Sequence, residues 1–211
     1  MFWDRIAKFY DLFENVYNGK VYKNLGKEVA KAIEQDDVVL ECACGTGAIS
    51  KAVAEKCQKL VATDCSDKML KKAKKKCKKL TNVEFALADI THLEYEDCSF
   101  DKVVAGNVIH LLQDPYSALK ELERVCRVGG QLIVPTYINM EKKGKTNLFV
   151  RAIDKAGASF KQQFTYKSYQ EFFEKAGFVA MMIFPASSSQ IARTDKETNP
   201  SFLPQNLNAA F

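Results

Sequence analysis

The chain has 211 residues, 47% of them apolar and 27% charged, which is enough hydrophobic material for one core of ordinary size and too much for a disordered chain. Its longest uncharged apolar stretch, Phe178 to Ala186, is far too short to cross a bilayer as a helix, and the N-terminus MFWDRIAKFYD lacks the unbroken apolar run of a secretory signal. The net charge of +5 is local: eight lysines and no acid fall between Lys68 and Lys79, and the rest carries 23 bases against 26 acids.

In chain order, residues 1–33 read as helical and aromatic. Phe2, Trp3, Phe9, Tyr10, Phe13, Tyr17 and Tyr22 join Ile6, Val16, Val21 and Leu25 in an apolar stripe at spacings of three and four. From Asp37 onward, β-rich runs alternate with helical patterns. The runs are Val38 to Cys42, Lys59 to Asp64, Val83 to Asp89, Phe100 to Asn107 and Gln131 to Ile138, and the helices Ala48 to Cys57, Ser66 to Leu80 and Pro115 to Arg127. Such alternation predicts an α/β fold, a doubly wound, mostly parallel sheet with helices on both faces.

Residues 139–166 form an inserted segment carrying Phe149, Ile153, Phe160 and Phe164. A helix over Ser168 to Ala176 follows and closes at Gly177. Two last runs, Phe178 to Phe184 and Gln190 to Thr194, flank a Pro-Ala-Ser-Ser-Ser turn and predict an antiparallel hairpin on the sheet edge, the sixth and seventh strands. One domain is expected over residues 1–196, followed by a loosely held, proline- and asparagine-containing tail at 197–211.

The most informative stretch is VVLECACGTGAIS, Val38 to Ser50. A buried strand ends in an acid, passes through small residues and enters a helix. Gly45 and Gly47 allow close approach of a ligand to the backbone, and the first helical amides can face its polar groups. Asp64 ends the second strand, where an acid in this topology accepts hydrogen bonds from ribose hydroxyls. Ser66 caps the next helix, and Met69 starts its buried stripe. Asp89 follows the third strand, and small residues at Ala105 and Gly106 leave room where the strand order reverses. The acids and the loop thus converge on the C-terminal edge of one sheet.

LECACGTG, VATDCSDKML, FALADI, FDKVVAGNVIHLL and DPYSALKELERVCRVGGQLIV together resemble the class I S-adenosylmethionine-dependent methyltransferases, and within them the ubiquinone and menaquinone C-methyltransferase group. The resemblance covers Val38 to Val134 closely and reaches about Val179 through EFFEKAGF; Ala43 stands where the family usually has a glycine. It implies the Rossmann-like methyltransferase fold and S-adenosyl-L-methionine as cofactor. It implies that Gly45 and Gly47 lie against the methionine and ribose portions, Glu41 near the ammonium, Asp64 on the ribose diol, Met69 on adenine and Asp89 at the adenine amino group. Ala43, Cys65 and Ile90 complete the expected cofactor-binding set. Backbone carbonyls around Ala105 and Gly106 would face the ammonium, Asn107 would sit at the border of cofactor and substrate, and Tyr10 and Tyr17 would close over the cofactor. The implied reaction is in-line methyl transfer to a small, aromatic or lipophilic acceptor in a cytoplasmic enzyme.

Should the acceptor need to lose a proton, His110 is the expected base, since a neutral imidazole can accept one near pH 7; the plainer reading is that it caps the turn after the fourth strand. His92 is given no role. The seven cysteines show no C-x-x-C pair and read as reduced thiols, with no metal site. In the lysine helix, Met69 or Leu70, Ala73, Cys77 and Leu80 recur at helical spacing, so its lysines fill a solvent face. No Asn-Pro-Pro-Tyr or Pro-Cys element marks a nucleic-acid methyltransferase. Two other readings stay open. One is a nicotinamide-dependent oxidoreductase, disfavoured by Glu41, Asp89 and the absence of a full G-x-G-x-x-G. The other is a non-catalytic protein of the cofactor fold that binds RNA or acidic membrane through Lys68 to Lys79.

Overall fold

A computed structural model describes residues 3–4, 19–137, 164–178, 182–186 and 189–195. The expected cofactor contacts Tyr10 and Tyr17, most of the inserted segment and the tail lie outside the described residues. Helix α1 (Gly19–Ala30) is followed by β1 (Val38–Cys42), α2 (Ser50–Ala54), β2 (Lys59–Asp64), α3 (Asp67–Lys76), β3 (Val83–Leu87) and β4 (Phe100–Ala105). A 3-10 turn (Ile109–Leu111) then leads to α4 (Pro115–Val125), β5 (Cys126–Tyr137), α5 (Tyr166–Lys175), β6 (Met182–Ala186) and β7 (Ser189–Asp195).

The strands form one seven-stranded sheet of order β3-β2-β1-β4-β5-β7-β6. β1 to β5 are parallel, and β7 inserts antiparallel between β5 and β6. This is the expected doubly wound sheet with its edge hairpin. The order reverses between β1 and β4, so the loops after those strands diverge and open a crevice.

Each sheet face carries its own apolar layer. On one, Leu25 and Val29 of α1 pack with Val53 of α2, Leu70 and Ala73 of α3, and Val39, Leu60 and Ile133. On the other, Leu119 and Leu122 of α4 pack with Leu40, Val103, Leu132 and the aromatic residues Phe164, Tyr169, Phe172 and Phe173. Those rings meet edge-on or tilted at centroid distances of 5.1 to 5.3 Å, the geometry that aromatic quadrupoles favour. The Tyr169 hydroxyl donates to the Val134 carbonyl, tying α5 to β5.

Local chemistry sets the helix starts. The Ser66 hydroxyl accepts from the Met69 amide at 3.2 Å and the Asp114 carboxylate from the Ser117 amide at 3.0 Å, while Thr165 and Ser168 form a reciprocal capping box, each satisfying amides that have no partner inside the helix. Several boundaries differ from expectation, among them α3, which ends at Lys76 rather than Leu80, and β6, assigned to Met182–Ala186 rather than Phe178 to Phe184; two others have a local cause. α2 covers only Ser50–Ala54, because the residues from Gly45 onward are spent on the loop. β5 begins at Cys126 rather than Gln131: Gly129, at φ +72°, absorbs an irregularity in the pairing with β4 between Phe100 and Lys102, so the chain stays extended through a sequence that reads as a turn.

Candidate functional site

Above the C-terminal ends of β1, β2, β3 and β4 lies a cleft of about 240 Å³. The β1–α2 loop forms its floor. Ala43, at φ +53°, and Gly45, at φ +56°, both take the left-handed conformation. The alanine bears a cost that glycine would not, on the order of 1–2 kcal/mol, which the fixed ends of the loop hold in place: the Cys44 amide donates to the Thr63 carbonyl at 2.8 Å and the Gly47 amide to the Cys44 carbonyl at 2.9 Å.

Gly47 packs more tightly than Gly45. It is not among the residues that line the cleft; at φ +80°, a Cβ there would lie 3.1 Å from both Cα and Cβ of Ala73. Its lack of a side chain allows close packing of the loop on α3. Gly47→Ala should therefore destabilise the fold by about 2 kcal/mol through strain and that contact, lowering the melting temperature in calorimetry by about 4–8 °C. Gly45→Ala meets no atom within 4 Å and should cost less.

Asp64 secures the loop to the next helix. Its Oδ2 accepts from the Gly45 amide and its Oδ1 from the Ser66 amide, both at 2.8 Å, while burial pushes its carboxyl up and the two amides oppose that. Ser66 in turn donates to Asp4 Oδ1 at 2.6 Å, and Trp3, the adjacent residue, lines the cleft. This ring is a site residue that sequence reasoning did not single out. The aromatic density of the N-terminus was the signal, but periodicity does not tell which ring reaches the cleft.

Glu41 lies 2% exposed on the cleft wall. Burial pushes its carboxyl up to about 8, Asp64 adds to the shift, and Ser50 and Lys76 oppose it. Its Oε2 and both amide atoms of Asn107 are buried without a hydrogen-bond partner. Asn107 is at φ +55°, its backbone N–H donating to the Pro135 carbonyl at 2.7 Å while the side-chain amide is the unpartnered group. Buried polar atoms left unmatched in this way cost stability, and here both residues face one cleft.

Met69, 2% exposed, closes the wall from α3, and Cys65, Ala88, Asp89 and Ile90 continue it. Asp89 Oδ1 accepts from the Thr91 amide at 2.9 Å and hydroxyl at 2.8 Å. The following loop is clamped by Arg124, which pairs with Glu121 and Asp97 and donates to the Leu93 and Tyr95 carbonyls. The lining also includes the apolar side chains of Trp3, Val108, Leu111 and Leu112.

Of the sequence-selected residues, the structure brings Glu41, Ala43, Gly45, Asp64, Cys65, Met69, Asp89, Ile90 and Asn107 to one cleft. His110 is not part of that lining. The 3-10 turn carries it inward, where it is 5% exposed, its Nδ1 is 3.0 Å from Thr136 Oγ1, and burial pushes its imidazole down to about 4. Among the described residues no group of His, Cys, Asp and Glu could hold a metal ion, and no helix is long and apolar enough to cross a membrane.

Comparison with known proteins agrees with this geometry. The profile of a family described as a methyltransferase domain matches residues 40–134. A demethylmenaquinone methyltransferase of Staphylococcus aureus is 28% identical over 205 residues, spanning 86% of this chain and 85% of that one. Among solved structures, an S-adenosylmethionine-dependent methyltransferase of Thermotoga maritima, described as a possible histamine N-methyltransferase, shares the fold at TM-score 0.71. It is 20% identical and spans 93% of this chain and 100% of its own. A Methanococcus maripaludis structure described as an S-adenosyl-L-methionine-dependent methyltransferase aligns at TM-score 0.70 with 15% identity, spanning 92% and 94%.

Proposed function

We propose that this chain acts as a class I S-adenosylmethionine-dependent methyltransferase, a reading supported by the family match over residues 40–134 and by the demethylmenaquinone methyltransferase relative, and that its acceptor is a small, quinone-like aromatic molecule of lipophilic character. The observation that carries the reading is a lining that combines polar groups, Glu41, Asp64, Asp89 and Asn107, with apolar side chains beyond the adenine slot's, Trp3, Val108, Leu111 and Leu112. The name of the Staphylococcus aureus relative supports the same acceptor class.

The residues present fit the cofactor. Oε2 of Glu41, buried without a partner, suits an ammonium. The Asp64 carboxylate, held by two amides, keeps lone pairs for a ribose diol. Met69 and Ile90 offer an apolar slot for a flat base, with Asp89 at its rim and Cys65 beside it. Ala43 and Gly45 let the loop backbone come close. Asn107 can meet either the amino-acid end or the acceptor. Tyr10 and Tyr17 complete the proposed set from the N-terminal segment.

The cofactor, when bound, supplies a methyl group already activated on a sulfonium. What remains for the protein is alignment and exclusion of water. The glycine loop and Asp64 fix one partner, and the apolar wall takes an aromatic ring and leaves little for water to bind. We assign His110 a supporting part, holding the β4 turn to Thr136 on β5. An imidazole pushed down to about 4 and kept off the cleft wall is poorly suited to take the acceptor's proton at neutral pH. A quinol or phenol acceptor ionises more readily and so depends less on such a base.

The test is transfer of labelled methyl from S-adenosylmethionine to a short-chain 2-substituted 1,4-naphthoquinol, with histamine as the competing amine. Carbon methylation of the quinol, with its rate retained within about threefold in His110→Gln, is the expected result. Methylation of the amine alone would overturn the acceptor assignment, and a hundredfold loss in His110→Gln with a changed pH profile would return the base role to that residue.

A further inference from the structure

We propose that the outer face of α3, together with Leu87, docks on a bilayer of anionic phospholipid. Met69, Leu70 and Ala73 are the buried residues of α3, and Lys71, Lys74 and Lys75 lie on its exposed side, with exposed Lys78 following in the turn beyond Lys76. Lys68 begins that stripe and exposed Lys79 ends it in the turn, the helical part from Lys68 to Lys76 being about 12 Å long. The only acid in α3, Asp67, is paired with Lys71 at 2.6 Å. The remainder of the chain carries more acids than bases, so positive charge is gathered on this one face.

A lysine stripe alone suits any anionic surface; the neighbouring strand narrows the choice. Val83 and Phe85 of β3 pack in the same apolar layer as Leu70 and Ala73. Leu87, two residues on, therefore projects from the sheet face that carries α3, and it is 64% exposed. A large apolar side chain beside a lysine stripe fits a bilayer interface, where the charges meet headgroups and the leucine enters the acyl boundary. A nucleic-acid groove would favour arginine and stacking aromatics, and Lys68 to Lys79 contains neither.

Docking this way also sets the rim of the cleft at the membrane surface. Met69, from α3, and Ala88, the residue after Leu87, both line the cleft. A lipophilic acceptor dissolved in the bilayer would then reach the donor without crossing water. The docking goes beyond the acceptor assignment and is tested without any acceptor.

The experiment is flotation of the whole protein with phosphatidylcholine vesicles, with and without about 30 mol% phosphatidylglycerol, at about 0.1 M and about 0.5 M salt. Binding to the anionic vesicles alone, weakened by salt, is expected. Each lysine at such a surface contributes roughly fivefold in partition, so Lys74→Glu, Lys75→Glu and Lys78→Glu together should reduce binding at least about hundredfold. Leu87→Ser should reduce it several-fold. None of these residues lines the cleft, and unchanged S-adenosylhomocysteine affinity in both variants shows that each is folded. Equal binding to neutral vesicles, no binding, or full binding by the triple variant would overturn the proposal. So would displacement from vesicles by single-stranded RNA with the same lysine dependence and no effect of Leu87→Ser, which would make nucleic acid the partner.

Discussion

Asp64→Ala is expected to weaken S-adenosylhomocysteine binding by about a thousandfold in isothermal titration calorimetry. Hydrogen bonds to a charged group contribute about 1.5–3 kcal/mol each, and a ribose diol would lose two of them, a loss of about 4 kcal/mol at a central value. The fold should suffer as well. Asp64 is 7% exposed and accepts from the amides of Gly45 and Ser66, so alanine leaves two buried donors at the junction of the loop and α3, each costing about 1–3 kcal/mol. Asp64→Asn separates the two effects. Its amide oxygen can still accept one backbone amide, so most of the thermal stability should return while the cofactor affinity remains low. Affinity within threefold of wild type in Asp64→Asn would mean that the diol is held elsewhere.

The place of Asp64 beside the loop was legible because it depends on topology. A parallel sheet places the end of β2 beside the loop after β1, and two acids, a glycine loop and a serine cap at those strand ends leave few other arrangements. β1 and β2 were legible to the residue for a related reason, since strands buried on both faces read as continuous apolar runs. Other features depend on rotations that no periodicity encodes. His110 follows β4 where small residues open the cleft, yet the 3-10 turn directs its ring toward Thr136. Gly47 resembles Gly45 in sequence, and only the approach of Ala73 shows the close packing that Gly47 allows. Trp3 reaches the cleft through a contact 62 residues away in sequence, between Asp4 and Ser66, and long-range pairs of that kind leave no local signal. Leu87 falls inside the run from Val83 to Asp89 in sequence; β3 is an edge strand, and only the full sheet order shows that its outer residues are uncovered.

Glu41 should make the stability of the cofactor-free protein fall between pH 6.5 and 8, and Glu41→Gln should remove that slope. The sign follows from proton counting. A carboxyl at about 8 in the folded protein and 4.5 when unfolded is protonated only in the native state between those values, so raising the pH favours unfolding. His110 acts oppositely: its folded value of about 4 lies below the unfolded 6.5, and its contribution grows as pH rises through that interval. From pH 4.5 to 6.5 the two offset each other; from 6.5 to 8 only Glu41 acts, with a loss of about 2 kcal/mol. Urea denaturation at the two ends of that range measures it. Bound S-adenosylhomocysteine should change the sign of the problem, because an ammonium beside Oε2 favours the carboxylate. Calorimetry at pH 7 in two buffers of different ionisation enthalpy should then report release of nearly one proton per ligand, about 0.9 from a group titrating at 8. 5′-Methylthioadenosine, which has the nucleoside and no ammonium, should release none, and Glu41→Gln should release none with either ligand while binding S-adenosylhomocysteine about 10- to 100-fold more weakly. Identical enthalpies in both buffers would place the ammonium away from Glu41, leaving its unmatched oxygen to another group in the cleft.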